Sequence, residues 1–270
     1  MFRNVQAHWL LPLTLLAVPA SALAEETRDQ AEPIRLRVLS YNIRYGLGLD
    51  GELDLDRIAT IIKSVDPDIV ALQEVDRGVE RSGRVDQAAE FARLTGMRAV
   101  FERNIVHQGG DYGNALLSRL PIVEHRNVHL PSFDDSEQRG VLVVDVSAPD
   151  GKTPIRILAT HLDHRRDDRE RLASVQVINE IASETPDRPA LLLGDINATP
   201  ESAVLEALNR SWRSANREPL FTIPAQEPNR QIDYILYRPE AAWKVVEVRV
   251  LDEPVASDHR PIFAVLELLD

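Results

Sequence analysis

Five strand-like segments, 98–106, 113–118, 121–129, 139–147 and 154–160, follow one another with only Gly, Pro and Asp turns between them. No helical pattern separates them, so the chain departs from strict βαβ alternation. Further strands read at 35–41, 69–72, 190–193, 232–237, 243–251 and 262–268. Helical spacing occurs elsewhere. Leu55, Ile58, Ala59, Ile61, Ile62 and Val65 recur at helix period, with Asp54 as an N-cap and Pro67 just beyond the end. Similar patterns cover 85–94, closing at Gly96, then 167–182 and 201–208. Helices interspersed among many strands predict an α+β fold: a four-layer α/β/β/α sandwich of two mixed β-sheets flanked by helices, with its core between the sheets.

Residues 1–24 read as a signal peptide: a positive start at Arg3, an apolar stretch from Trp9 to Val18, and a small-x-small cleavage site at Ala22-Leu23-Ala24. The stretch is too short for a membrane span and is interrupted by Pro12, which leaves an uncleaved anchor as the alternative. Residues 25–33 read as a flexible lead-in and 34–270 as a single domain. Removing the leader takes away one cation and no acid, so the remainder is one charge more negative than the whole chain's −12. That balance weighs against a dedicated nucleic-acid binder. With no cysteine there is neither a disulfide framework nor a thiolate site, which suits export to the periplasm or exterior.

Polar residues collect where strands end. The apolar run Ala190 to Leu193 closes on Gly194-Asp195-Ile196-Asn197. In an extended segment, Asp195 and Asn197 would project to the same side; an Asx-turn is the alternative. Strand 35–41 ends in Asn42, strand 69–72 in Gln73-Glu74, and strand 154–160 in His161. Asp233 stands inside an apolar segment, where a buried carboxylate needs a partner, naturally a histidine. Asp258-His259 precede the last strand. Singly, each has a structural reading as a cap, a surface ion pair or a core histidine. Together they form a hard-oxygen set suited to Mg²⁺, Mn²⁺ or Ca²⁺ and to phosphate chemistry.

The strings Ser40-Tyr-Asn-Ile-Arg44, Leu72-Gln-Glu-Val-Asp76, Tyr112-Gly-Asn-Ala-Leu-Leu-Ser-Arg119, Thr160-His-Leu162, Gly194-Asp-Ile-Asn197, Ile232-Asp-Tyr-Ile235 and Ser257-Asp-His-Arg-Pro261 resemble the endonuclease/exonuclease/phosphatase superfamily in order and spacing. Pancreatic-type deoxyribonuclease, abasic-site endonucleases, inositol-polyphosphate 5-phosphatases and neutral sphingomyelinases share that fold. The resemblance implies that Glu74, helped by Asn42, holds a Mg²⁺ or Mn²⁺ ion, with Asp258 reaching it or a second ion. It implies that Asp195 activates the attacking water, that Asn197 and His161 contact the phosphoryl group, and that Asp233 and His259 form a dyad. Arg139 resembles an arginine directed at phosphate, with a strand-edge charge as the alternative. Tyr112, Asn114 and Arg165 are candidate substrate contacts, with a plain turn or a solvated helix start as their alternatives. Arg44 stands where abasic-site endonucleases carry an acid, so a ligand set relying on that acid is not available here.

The expected activity is metal-dependent hydrolysis of a phosphoric ester by in-line attack of water, on a lipid head group or a small phosphate ester. A secreted nonspecific nuclease is the alternative; it would draw a basic ridge from residues 165–171 with Arg77, Arg81 and Arg84. An inactive module that recognises phosphate is a third reading.

Overall fold

Side chains along the strands alternate between two apolar surroundings, and that period of two sets the layers. The computed structural model describes residues 1–4 and 33–269. The expected leader, apart from its first four residues, and all of the lead-in but Pro33 lie outside them. Among the described residues no helix is long and apolar enough to cross a membrane.

In chain order the elements are β1 (Arg35–Asn42), α1 (Leu55–Ser64), β2 (Ile69–Arg77), α2 (Gln87–Thr95), β3 (Arg98–His107), β4 (Gly110–Ser118), β5 (Ile122–His129), β6 (Gly140–Ser147), β7 (Pro154–His161), α3 (Arg169–Ser183), β8 (Ala190–Asp195), α4 (Ala203–Asn209), β9 (Arg213–Ser214), β10 (Asp233–Arg238), β11 (Trp243–Val250) and β12 (Ile262–Leu268). They build two six-stranded sheets, ordered β11-β12-β1-β2-β4-β3 and β5-β6-β7-β8-β10-β9. Each sheet holds one parallel pair, β1 with β2 and β7 with β8, and all its other neighbours are antiparallel. A parallel pair needs a long crossover, and α1 and α3 supply it. The two sheets therefore repeat one plan, with a crossover unit at the centre of each.

Val38, Ala71 and Leu116 of the first sheet meet Val144, Ile157, Leu193 and Ile235 of the second in the inter-sheet core. The next residues along the chain face outward. Leu39, Leu72 and Leu117 pack on Ile58 and Ile62 of α1 and Phe91 of α2. Leu158, Leu192 and Leu236 pack on Val175 and Ile178 of α3 and on Leu205 and Leu208 of α4. Each such buried Leu or Ile contributes roughly 1.5–3 kcal/mol. The result is the α/β/β/α sandwich.

Asp54 caps α1 by accepting the Arg57 N–H at 2.8 Å. Gly96 ends α2 in the left-handed region, at φ 72. Helix α3 starts later than its pattern predicts, and its N-cap Asp168 pairs with Arg171 instead of capping the first turn. Strand β2 runs well past Leu72, carried through a bulge between Leu72 and Val75. The two-residue β9 is too short to leave any period in the sequence.

Candidate active site

The C-terminal ends of both parallel pairs open on one edge of the sandwich. Asn42 ends β1 opposite Gln73, and His161 ends β7 opposite Asp195. Asp195 also registers with Asp233, the first residue of β10. The buried Asn42 amide spans the sheets, donating to Glu74 Oε1 at 3.0 Å and to Asp195 Oδ2 at 3.2 Å. Glu74 owes its position to the bulge, where its φ of 59 turns it out of the ladder.

Asp195, Asp233 and His259 are all buried. His259 Nδ1 lies 2.9 Å from Asp233 Oδ2, and its Nε2 lies 3.7 Å from Asp195 Oδ2. Burial alone would lower the proton affinity of His259, but the charges of Asp233 and Asp195 outweigh it and raise the imidazole to about 10. Burial, with the Asp233 charge, pushes the Asp195 carboxyl up to about 7, against the charge of His259 and the Asn42 hydrogen bond. At neutral pH the site thus combines an imidazolium with a carboxyl near its midpoint.

Two residues of this network escaped the sequence reading. Thr222 Oγ1 donates to Asp233 Oδ2 at 2.6 Å. Ser257 Oγ donates to the Asn42 carbonyl at 2.7 Å and accepts the His259 N–H at 3.2 Å, tying β1 to the loop that carries His259. Thr222 lies in a stretch without periodicity and gave no signal; Ser257 could have been found from its place in the Ser-Asp-His string.

Asn197 does not continue the strand. It adopts φ 54, its N–H bonds Asp195 Oδ1 at 2.9 Å, and its side-chain amide donates to the Leu162 carbonyl at 3.0 Å. The segment is an Asx-turn at a strand end, so the Asx-turn reading holds and the extended one does not. The extended geometry stops at Asp195 because the chain must turn there, and Asn tolerates the left-handed region.

His161 Nε2 lies 3.4 Å from Asp195 Oδ2. Burial and the nearby Arg139 and His259 charges hold His161 well below the usual imidazole range. Arg139 is buried, with its guanidinium against His161, His164 and Glu137. Asn114 donates to the Gly140 carbonyl at 3.1 Å, a bond between the sheets. Tyr112 is buried near Glu74, and burial with that charge lifts its phenol far above the ordinary range. Arg165 pairs with Asp163 and Glu170. Most of the supposed basic ridge is ion-paired: Arg169 pairs with Asp134, Arg171 with Asp168, Arg77 with Asp111, Arg81 with Asp76 and Arg84 with Glu80, while Arg166 is exposed.

A divalent cation fits the acids present. Burial raises the proton affinity of Glu74, the neighbouring charge of Asp258 adds to it, and the direct hydrogen bond Glu74 accepts is from the Asn42 amide. A desolvated carboxylate beside a second acid is stabilised by a hard cation. Asn42 braces Glu74 in this geometry, since its own oxygen accepts the Arg44 N–H at 3.1 Å. Asp195, Asp233 and His259 form a second group of potential ligands, with donor atoms within 4.8 Å of one another.

The chain is 29% identical over 254 residues to an uncharacterized protein of Escherichia coli, YbhP, across 89% of this chain and 99% of that one. It is 26% identical over 214 residues to a 5'-tyrosyl-DNA phosphodiesterase of Caenorhabditis elegans, across 75% of this chain and 54% of that protein. A solved mannosyl-6-phosphatase of Bacteroides thetaiotaomicron superposes with a TM-score of 0.71 at 21% identity, covering 87% of this chain and 100% of that one, a likeness of fold. The family model for the endonuclease/exonuclease/phosphatase family matches residues 39–259, and the chain belongs to that family.

Proposed function

We propose that the protein is a divalent-metal-dependent hydrolase of phosphoric esters that directs an activated water in line at phosphorus. The observation that carries this reading is the place of Asp195: buried, raised in proton affinity, and held between the Asn42–Glu74 pair of one sheet and the Asp233–His259 dyad. Mg²⁺ or Mn²⁺, held by Glu74 and Asp258, would neutralise charge developing on the phosphoryl oxygens. Asp195 takes the proton of the attacking water as its oxygen bonds to phosphorus and the ester oxygen leaves. His259, kept protonated by Asp233, stabilises the charge that builds in the transition state. His161 and Asn197 would contact the phosphoryl oxygens, Asn197 through the amide hydrogen that Leu162 does not take. No covalent enzyme intermediate is needed.

The substrate class we favour is a lipid head group or small phosphate ester, met after export to the periplasm or exterior. The ion pairing of most arginines around the site and the net charge of −12 support it over a polyanion. The intact acid–histidine set argues against an inactive recognition module. The test is a screen with Mg²⁺ or Mn²⁺ supplied, over bis-p-nitrophenyl phosphate, p-nitrophenyl phosphate, sphingomyelin, inositol phosphates, sugar phosphates and plasmid DNA. Turnover of the small or lipid esters supports the reading. Activity on DNA alone makes the protein a nuclease, and inactivity on every substrate overturns the hydrolase assignment.

A further inference from the structure

Arg139 precedes β6, and its guanidinium forks between two histidines. Nη1 lies 3.2 Å from His161 Nδ1, and Nη2 lies 3.2 Å from His164 Nδ1. A guanidinium only donates hydrogen bonds, and it keeps its charge at any pH the fold meets. Each facing Nδ1 must therefore be the proton-free, accepting nitrogen, which leaves the ring proton of a neutral imidazole on Nε2. For His161 that is the nitrogen 3.4 Å from Asp195 Oδ2. We propose that Arg139 is a positioning residue that locks His161 in its Nε2–H tautomer, so that a neutral N–H donor is already aimed into the corner where Asp195 acts. The proposal rests on the phosphoric-ester reading for its kinetic consequence, though not for the tautomer itself.

The surroundings of Arg139 are built to hold it. The Gly140 carbonyl accepts from Asn114 Nδ2 at 3.1 Å and from Thr160 Oγ1 at 3.0 Å, fixing the peptide that follows Arg139 to strands of both sheets. The Arg139 carbonyl accepts the Leu130 N–H at 2.9 Å and Gln138 Nε2 at 2.8 Å. A Cβ at Gly140 would stand 2.2 Å from Asn104 Oδ1, so a larger residue there would displace the Asn104 and Asn127 side chains. The Glu137 carboxylate, 2.8 Å from Nη1, balances the charge. A guanidinium buried in this way, with both terminal nitrogens engaged by its own chain, is poorly placed to bind phosphate and well placed to set the face of a ring. The same fork presents His164, which is exposed, through its Nε2 as well. Burial and the Arg139 charge both disfavour an imidazolium at His161, in keeping with a neutral donor.

Long-range ¹H–¹⁵N correlation spectra of histidine-labelled protein at pH 7.5 read the tautomer directly, with the His161 signals assigned by their loss in H161Q. The expected result is a neutral His161 protonated on Nε2 in the wild type and a tautomer mixture in R139Q. With bis-p-nitrophenyl phosphate and Mg²⁺, R139Q lowers kcat by about 10–100-fold, the scale of lost outer-shell support, while KM stays near wild type; R139K recovers part of kcat. A phosphate-binding arginine would raise KM instead, and that outcome overturns the proposal. So does a wild-type His161 that carries its proton on Nδ1 or is doubly protonated, or an R139Q protein with an unaltered tautomer. The spectrum needs no turnover, so an inactive wild type sinks the hydrolase reading and leaves this test standing.

Discussion

The Asn42 side chain donates a 3.2 Å hydrogen bond to Asp195, which lies 153 residues further along the chain and on the opposite sheet. The contact joins the two crossover units at their C-terminal ends. It makes one site from two half-sites, each incomplete by itself.

Replacing Asp195 with Asn removes the proposed base and keeps one oxygen to accept the Asn197 N–H, while its NH2 takes the place of the oxygen to which Asn42 donates. Activity is expected to fall by about 10²–10⁴-fold. Because burial and Asp233 push the Asp195 carboxyl up, its charge is a burden to the fold at pH 8. The urea midpoint of D195N is therefore expected to equal or exceed that of the wild type; a clearly lower midpoint would show that the carboxylate is structural.

The rate should be bell-shaped in pH. Asp195 must be deprotonated to accept a proton, so kcat/KM rises as pH climbs through its raised value of about 7. His259 must stay protonated, so kcat/KM falls as pH passes about 10. The Asp233 charge raises both groups, and D233N therefore moves both limbs to lower pH. Profiles of the two proteins on bis-p-nitrophenyl phosphate check the direction, and limbs that stay in place would exclude the assignment.

Chelation with EDTA is expected to abolish turnover, and added Mg²⁺ to restore it. A ligand present at 100 times its Kd stabilises a fold by about 2.7 kcal/mol, so Mg²⁺ should raise the Tm of the wild type. E74Q keeps the bond from Asn42 yet loses the charge, and its affinity for Mg²⁺ should drop by at least about tenfold. The readout is the Mg²⁺ dependence of Tm, which requires no activity.

Thr222→Val deletes the hydroxyl that donates to Asp233 Oδ2 at 2.6 Å while keeping the side-chain shape. Hydrogen bonds to charged groups contribute about 1.5–3 kcal/mol, and the other oxygen, Asp233 Oδ1, is buried without a partner among the described residues. Urea unfolding should show a loss of that order, with a lower kcat as the dyad loosens. An unchanged midpoint would mean that Thr222 is idle.

Leu116→Ala opens a cavity in the inter-sheet core, where Leu116 is fully buried. The expected loss is about 2–5 kcal/mol, against less than about 0.5 kcal/mol for V106A at a position 68% exposed. Urea midpoints of the pair compare the layers directly.

The apolar run at Ala190 to Leu193, the helix period at Leu55 to Val65 and the Asp54 cap were legible because such patterns arise between neighbours along the chain. The polar strand ends were legible for the same reason, and their spacing matched a family. Legibility stopped where a conformation depended on distant partners. Gln73-Glu74 read as a strand end, yet pairing with β4 carries β2 onward and throws Glu74 into a bulge. Asn197 read equally as extended or as an Asx-turn, and the bond of its side chain to the distant Leu162 carbonyl accompanies the turn.

By itself, then, the sequence determined the elements, the two-sheet class and the chemical inventory at the strand ends, since each of these follows from local stereochemistry and side-chain type. Only the tertiary structure decided how the inventory is wired. It placed Asn42 against Asp195, Thr222 beneath Asp233 and Arg139 behind His161, and it paired most of the arginines of the supposed basic ridge with acids. Those choices rest on sheet order and packing across long sequence separations, where no residue carries a local mark of the partner it will meet.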